Sequence, residues 1–484
     1  MKIWHTVIAL LVLLMLGGVL YYLNQQPEKP SAEGFPKKDL FTFQLDQVEE
    51  FTIELQGSPT ATFRRVAASQ PSAGADRQPS NQSHWEIVSP SGIAADSKEV
   101  QSFLDGLPKI KAVLLDLQAP SSLTDYGLEQ PQKVYKFKLK DGRDTTLLIG
   151  KENPNGFGRY GKLGASTEVF LLDLLNAEAL LDKTLFDLRD KRILPVDRNQ
   201  AQQLELHSYL RGGAPTPAEM EEARRRKLPL NPPKVVMTRR LLNGDWQLTD
   251  PALRTDHGNT GELARLIEGA QVQSIEEENP TALSRYGLAP PELRLEVKTP
   301  SGSYNLLIGN RKSGEQLLYY AKNSVWPHVF TVDQSVYSQL TQDLEHYRSR
   351  YLFDYSEAPK ARRVEIQTAD RTIRFDKKGD GWVGPQDAQR QVDGSKVVGF
   401  LNYVYALRIQ YYASDQPGRL DEYGLDKPWV TVKVITGEDN REETILFGRK
   451  NDHFYAARQG EPSVYEMSSG EPENFESHLK ALTS

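Results

Sequence analysis

Gly156-x-Gly158-x-x-Gly161 has the spacing of a dinucleotide-binding fingerprint, in which glycines let a strand turn tightly into a helix that meets a pyrophosphate. Here Arg159-Tyr160-Gly161-Lys162 leads into another expected strand, so the glycines read as those of a hairpin and no cofactor is expected. The eight histidines are scattered. None forms a His-Glu-x-x-His pair or another close metal-ligand spacing, and no metal site is expected. His207, His328 and His453 read as surface or core-edge side chains. Neither a Gly-x-Ser-x-Gly elbow nor a Gly-x4-Gly-Lys-Ser/Thr phosphate loop occurs, so no catalytic residue is assigned. Glu276-Glu277-Glu278 has the charge for a cation site, but adjacent acids are ordinarily a solvated segment. Arg224-Arg225-Arg226-Lys227 is the densest basic run, and Glu219, Glu221 and Glu222 lie where helical neighbours would offset it. Attraction to anionic lipid or an acidic partner is the alternative for that run.

The elements that carry these residues are bounded by composition. A chain of 484 residues exceeds what one core usually organises. Hydrophobic residues at 38% and charged residues at 26% fit a globular protein. A net charge of -6 gives no electrostatic reason to expect nucleic acid. The absence of cysteine excludes disulfides, thiolate zinc sites and thiol catalysis.

Residues 4–23 carry no charge with His5 neutral, and at ~1.5 Å per residue they span roughly 30 Å, the thickness of a bilayer core. Trp4 at one end and Tyr21 and Tyr22 at the other sit where aromatic belts form. A cleavable signal peptide is the alternative, but Asn24-Gln25-Gln26-Pro27 offers no small-x-small cleavage pattern. The expectation is a tail and anchor over 1–23 and a Pro-containing linker over 24–40. The basic residues of the flanks, counted literally, favour a cytoplasmic soluble part, whereas long domains translocate largely regardless of charge. Export is the preferred orientation.

Three copies of one unit follow. Leu-x-x-Tyr-Gly-Leu-x-x-Pro occurs at Leu123, Leu283 and Leu420, placing Tyr126-Gly127, Tyr286-Gly287 and Tyr423-Gly424. Trp85, Trp246 and Trp382 precede those tyrosines by 41, 40 and 41 residues. Strands ending at Gly150, Gly309 and Gly448 follow them by 24, 23 and 25. The expected units are 41–193, 194–353 and 354–484.

Each copy opens with an alternating strand, at Phe51/Ile53/Leu55, Leu204/Leu206 and Val364/Ile366. The Trp strand leads to a helix carrying Val100, Phe103, Leu104 and Leu107, then Leu263, Leu266 and Ile267, then Val397, Val398, Phe400 and Leu401. Asp96, Thr260 and Asp393 are the expected N-caps. After the Tyr-Gly turn, Val134/Phe137/Leu139 and the Gly150 strand form a hairpin, with Asp141-Gly142 as its turn and Ser301-Gly302 in the second copy. Two further strands follow, and closing helices are expected over about 174–189, 334–349 and 471–482. The expected fold is α+β: three tandem copies of a mostly antiparallel sheet unit with two helices each, preceded by one transmembrane helix. Insertions differ between copies, from 32 residues (Ile53 to Trp85) to 40 (Leu206 to Trp246) and 16 (Ile366 to Trp382), so a shared site cannot lie there. The repeated Trp and Tyr read as packing residues rather than a ligand platform.

The Tyr-Gly-Leu-x-x-Pro turn, the Leu-Ile-Gly strand and the preceding Trp strand resemble the family catalogued as domain of unknown function 4340, over essentially the whole chain behind the anchor. That resemblance implies a bacterial envelope protein with one N-terminal membrane helix, and with the preferred orientation the expectation is an inner-membrane protein whose soluble part is extracytoplasmic. It also implies an accessory role at a membrane complex, of the ABC-transport or gliding-motility-like kind, and carries over no activity and no catalytic residue. The functional expectation is a non-catalytic scaffold or binding protein. The alternatives are an envelope hydrolase with a site in one repeat only, or a glycan-binding module using one of the three tryptophans.

Overall fold

A computed structural model describes residues 37–41, 43–67, 83–114, 122–154, 156, 158–164, 166–173, 179–208, 234–239, 244–384 and 391–483. The expected anchor at 4–23, most of the first insertion and the basic run at 224–227 lie outside the described residues. Among the described residues, no helix is long and apolar enough to cross a membrane. The chain divides into two compact units, residues 1–233 with 264–341 and residues 234–263 with 342–484.

The described strands form three antiparallel sheets. In the first unit, β1 (Lys37–Asp39), β2 (Val48–Leu55), β3 (Ala61–Val66), β4 (His84–Ser89), β5 (Lys111–Leu114), β6 (Lys133–Leu139), β7 (Asp144–Glu152), β8 (Gly158–Leu163) and β9 (Val169–Asp173) run in the order β1-β5-β9-β8-β7-β6-β2-β3-β4. The second copy contributes β10 (Gln203–Ser208), a hairpin of β11 (Lys234–Arg239) and β12 (Trp246–Asp250), β13 (Ser274–Glu277), β14 (Leu293–Thr299), β15 (Gly302–Arg311), β16 (Leu318–Asn323) and β17 (Val329–Asp333). Its first-unit strands run β10-β14-β15-β16-β17-β13, the same relative order. In the second unit, β18 (Ala361–Thr368), β19 (Thr372–Lys378), β20 (Gly381–Val383), β21 (Gln391–Val392), β22 (Tyr411–Ser414), β23 (Val430–Thr436), β24 (Arg441–Lys450), β25 (His453–Arg458) and β26 (Val464–Glu466) repeat it as β21-β20-β19-β18-β23-β24-β25-β26-β22.

In the first and third copies, the chain thus leaves one end of its sheet, from β4 or β21, crosses a sheet face as a helix, and joins the other end, at β5 beside the edge strand β1 or at the edge strand β22, before returning to the centre. The crossing helix is α1 (Ser97–Gly106) in the first copy, where Val100, Phe103 and Leu104 are buried against the sheet. Phe51 stacks on Phe63 at 4.6 Å and meets Trp85 edge-on at 5.4 Å beneath it. Other α-helices among the described residues are α2 (Leu185–Leu188), α3 (His257–Gly269), α4 (Gln334–Leu340), α5 (Gly394–Ala406) and α6 (Glu471–Thr483).

Asp96 and Asp393 cap α1 and α5, as their position before an amphipathic run predicts. Thr260 is not a cap. It lies inside α3, its hydroxyl returned to the Asp256 carbonyl at 2.9 Å, while the Asp256 carboxylate accepts the Asn259 N–H at 3.0 Å. The second closing helix is shorter than expected, being α4 followed by a 3-10 turn at Leu344–Tyr347. Where the first was expected, residues 174–178 lie outside the described residues, 179–181 are helical, and α2 follows after a break. Only α6 has the expected length. In β6 the buried face is Tyr135, Phe137 and Leu139, because a period of two puts Val134 on the other side.

Candidate functional site

The repeat markers meet one another. Each Tyr-Gly turn is a short 3-10 turn closed by a glycine at φ +66°, +66° or +64°, a left-handed conformation that a Cβ disfavours. The N–H of Leu128, Leu288 and Leu425 returns to the carbonyl of Leu123, Leu283 and Leu420 at 3.0, 3.1 and 3.0 Å. Those three turn leucines are buried. The strand glycine of each copy lies beneath its turn. A methyl group on Gly150, Gly309 or Gly448 would strike the carbonyl oxygen of Tyr126, Tyr286 or Tyr423. The tyrosine rings pack edge-on against Tyr160, Tyr320 and Tyr455, with centroids 4.8, 5.0 and 5.1 Å apart.

Trp85, Trp246 and Trp382 are 3%, 6% and 4% exposed. None offers a ring face beside a groove, so the glycan-binding reading loses the platform it requires.

The glycine fingerprint is a hairpin. Gly156 turns the chain at φ +70°, and Gly158 and Gly161 lie in β8, where a side chain would strike the Leu172 carbonyl or the Phe170 ring. His207, His328 and His453 stand apart from one another. His207 meets Arg294 at 3.0 Å, and His453 is an exposed partner of Glu466 at 2.7 Å. Among the described residues, no group of three His, Asp or Glu is placed to hold a metal.

The Glu276-Glu277-Glu278 run is not simply solvated. Glu276 accepts from Lys312 at 2.6 Å, Glu277 from Arg285 and from the Tyr286 hydroxyl at 2.8 Å, and Glu278 from Arg189. The register of β13 shifts between Ile275 and Glu277, and each acid of the run finds its own donor.

Arg189 is the polar centre that no sequence motif marks. It is 2% exposed, donating to Glu278 through Nη1 at 2.8 Å and Nη2 at 3.3 Å, and Nη2 also lies 3.0 Å from His328 Nδ1. His328 is 1% exposed and stacks on Trp326. Burial, with Arg189 and then Lys322 nearby, pushes its pKa down to about 3, so the ring is neutral and can accept. A cleft of about 380 Å³ opens beside Arg189 and Glu278, walled by Ile53, Leu55, Phe186 and Ile275.

The second unit holds an equivalent centre. Arg348 is 4% exposed and clamps Asp415 at 2.6 and 3.1 Å, with Ser463 at 3.4 Å where the first unit has His328. Tyr412 lies under its guanidinium at 3.6 Å. Both arginines sit in the connector leaving one repeat, and both acids follow the post-helix strand of the next. Asn323, which ends β16, donates to the Ile193 carbonyl at 3.0 Å, and Arg458, which ends β25, donates to Leu352 at 3.0 Å. Arg458 also holds Glu443, which is 1% exposed, at 2.7 Å.

The chemistry suits holding. A bidentate guanidinium–carboxylate pair has fixed geometry and a satisfied charge. The neutral acceptor changes from imidazole to hydroxyl between the copies while the clamp persists. The one signal in the sequence is that Arg189 and Arg348 each stand five residues before the second of two apolar residues, Leu194 and Phe353.

No curated protein and no solved structure matches this chain. Residues 85–238, 246–419 and 391–482 match a family described as Domain of unknown function (DUF4340). Those tandem segments cover most of the sequence and carry the Trp strand, the Tyr-Gly turn and the Leu-Ile-Gly strand whose packing the structure displays, and the chain belongs to that family.

Proposed function

We propose that this protein is a non-catalytic scaffold or binding protein, anchored in the bacterial inner membrane by residues 4–23 with its repeats on the extracytoplasmic side. Its partner is a membrane protein complex, of the ABC-transport or gliding-motility-like kind. The observation that carries this reading is what the copies share: a turn, a glycine contact and a buried tryptophan, all spent on packing. The polar groups that differ between copies are spent on the clamps between repeats. Co-purification from mild detergent tests the reading, with a stoichiometric membrane complex expected. Recovery of the protein alone, under conditions that preserve other membrane assemblies, would overturn it.

A hydrolase with a site in one repeat is the second reading. It is favoured by His328 and Glu278, 3.7 Å apart near the 380 Å³ cleft. Burial, and then Arg189, which bonds both groups, keep the imidazole from taking a proton, which opposes a general-base role.

A further inference from the structure

The two clamps differ in what lies against the arginine. β13 and β22 are equivalent strands, following α3 and α5, and their registers fix the match residue by residue. Ile275 pairs with Phe330 as Tyr412 pairs with Tyr465, and both ladders shift register immediately afterwards. The bridge from each connector, Arg192 to Gln271 and Tyr351 to Arg408, lands four residues before Ile275 and Tyr412. Ile275 therefore corresponds to Tyr412, just as Glu278 corresponds to Asp415 and Arg189 to Arg348.

In the second unit the Tyr412 ring covers the clamp. Arg348 Cζ lies 3.6 Å from its centroid, while the guanidinium N–H groups stay on Asp415. A ring face attracts a buried cation without competing for its donors, so the two partners are held together. In the first unit the same place carries Ile275, which has no ring to offer. Phe186 of α2 does not take over, since it lies under Lys191 at 5.5 Å. Among the described residues no Phe, Tyr or Trp ring covers Arg189.

What the first unit has there is the cleft of about 380 Å³, lined by Arg189, Glu278 and Ile275 together with Ile53, Leu55 and Phe186. That volume is within the range of ligand sites, roughly 300–1,000 Å³. The cleft is thus open on the clamp arginine where the other unit places a tyrosine of its own.

We propose that this cleft binds an aromatic side chain of a partner polypeptide, its ring laid over Arg189 as Tyr412 lies over Arg348. The apolar walls cover the rest of the ring. Glu278, with 40% of its side-chain surface in water, is an acceptor for a hydroxyl or N–H of the same partner. An aliphatic side chain would fill the walls but give the guanidinium nothing. An anion would have to displace Glu278 from a bidentate pair. Aromatic residues are also the usual anchors of protein interfaces. The site deepens the reading of the chain as a binding protein, and the two fail separately: a chain that purifies alone can still bind an aromatic probe.

The test is saturation-transfer NMR on the full chain in mild detergent, with N-acetyl-tyrosinamide as the probe. Its ring protons should be saturated, and N-acetyl-leucinamide should respond about fivefold less, the size expected for a lost cation–π contact. Ile275→Tyr installs the arrangement of the second unit and should remove most of the tyrosinamide signal while far-UV circular dichroism stays native. Ser58→Trp, on the exposed turn beside the cleft, should reduce the signal severalfold and serves if Ile275→Tyr does not fold. Equal saturation of the two probes, or a folded Ile275→Tyr or Ser58→Trp chain that binds as the native chain does, would overturn the proposal.

Discussion

At the scale of single residues, glycine is required where two backbones touch. Gly309 lies under the Tyr286 carbonyl, and neither strand β15 nor the Tyr-Gly turn can withdraw without breaking its own hydrogen bonds. Gly309→Ala should therefore destabilise the protein by about 2–4 kcal/mol, as expected for an overpacked contact that backbone must relieve. Gly399 is the opposite case, exposed on α5 with nothing within 4 Å of the point where an alanine methyl group would sit. Gly399→Ala should stabilise by about 0.5–1 kcal/mol through helix propensity alone. Urea unfolding of the two variants checks both signs. Their chemistry is the same substitution, so a shared sign would refute the contact reading.

At the scale of elements, the connectors join one repeat to the next by ion pairs of unequal exposure. Arg348 is almost wholly buried, whereas Asp415 keeps 40% of its side-chain surface in water. Removing the acid strands a buried cation, but removing the arginine leaves a carboxylate that solvent can reach. Asp415→Ala should cost about 3 kcal/mol and Arg348→Met about 1 kcal/mol, the smaller value reflecting solvent screening of the acid. Chemical denaturation followed by far-UV circular dichroism reads the difference, and equal costs would show that the buried charge is not the controlling term. The missed Thr260 cap belongs to this scale too. Asp256 caps α3, and its own N–H is taken by the connector at Tyr347, a constraint that no local pattern around residue 260 contains.

At the scale of the whole molecule, stability should depend on pH through His328. Its ordinary pKa of 6.5 applies to the unfolded chain, and about 3 applies in the fold, where burial above all, then Arg189 and Lys322, disfavours the charged ring. Between those values the unfolded chain binds a proton that the folded chain refuses. The contribution is therefore complete above pH 6.5 and is lost as pH falls towards 3, by up to about 1.4 kcal/mol per unit. Between pH 6.5 and 5 the native protein should lose stability faster than His328→Gln, whose amide can still accept from Arg189 but takes no proton. Parallel urea midpoints for the two proteins across that window would rule out the assignment. The carboxylates that titrate lower down are common to both.

Much of the architecture is legible from the chain because it is set locally. Alternation gave the opening strands, three-to-four spacing gave α1, α3 and α5, and Asp96 and Asp393 marked two helix starts. The left-handed glycines after Tyr126, Tyr286 and Tyr423 follow from the turn itself. Repetition at matched spacing then established one unit used three times. What only the tertiary structure decided involves partners distant along the chain. Arg189 meets Glu278 across 89 residues and Arg348 meets Asp415 across 67, and nothing near either arginine announces its acid. The Leu-Ile-Gly glycine could be seen to recur, but its reason, a tyrosine carbonyl resting on it, appears only once the turn has folded back over the strand. Local sequence fixes the conformation of a segment through sterics and periodicity. Which segments become neighbours is settled by burying their faces together, and the clamps of this protein exist only after that has happened.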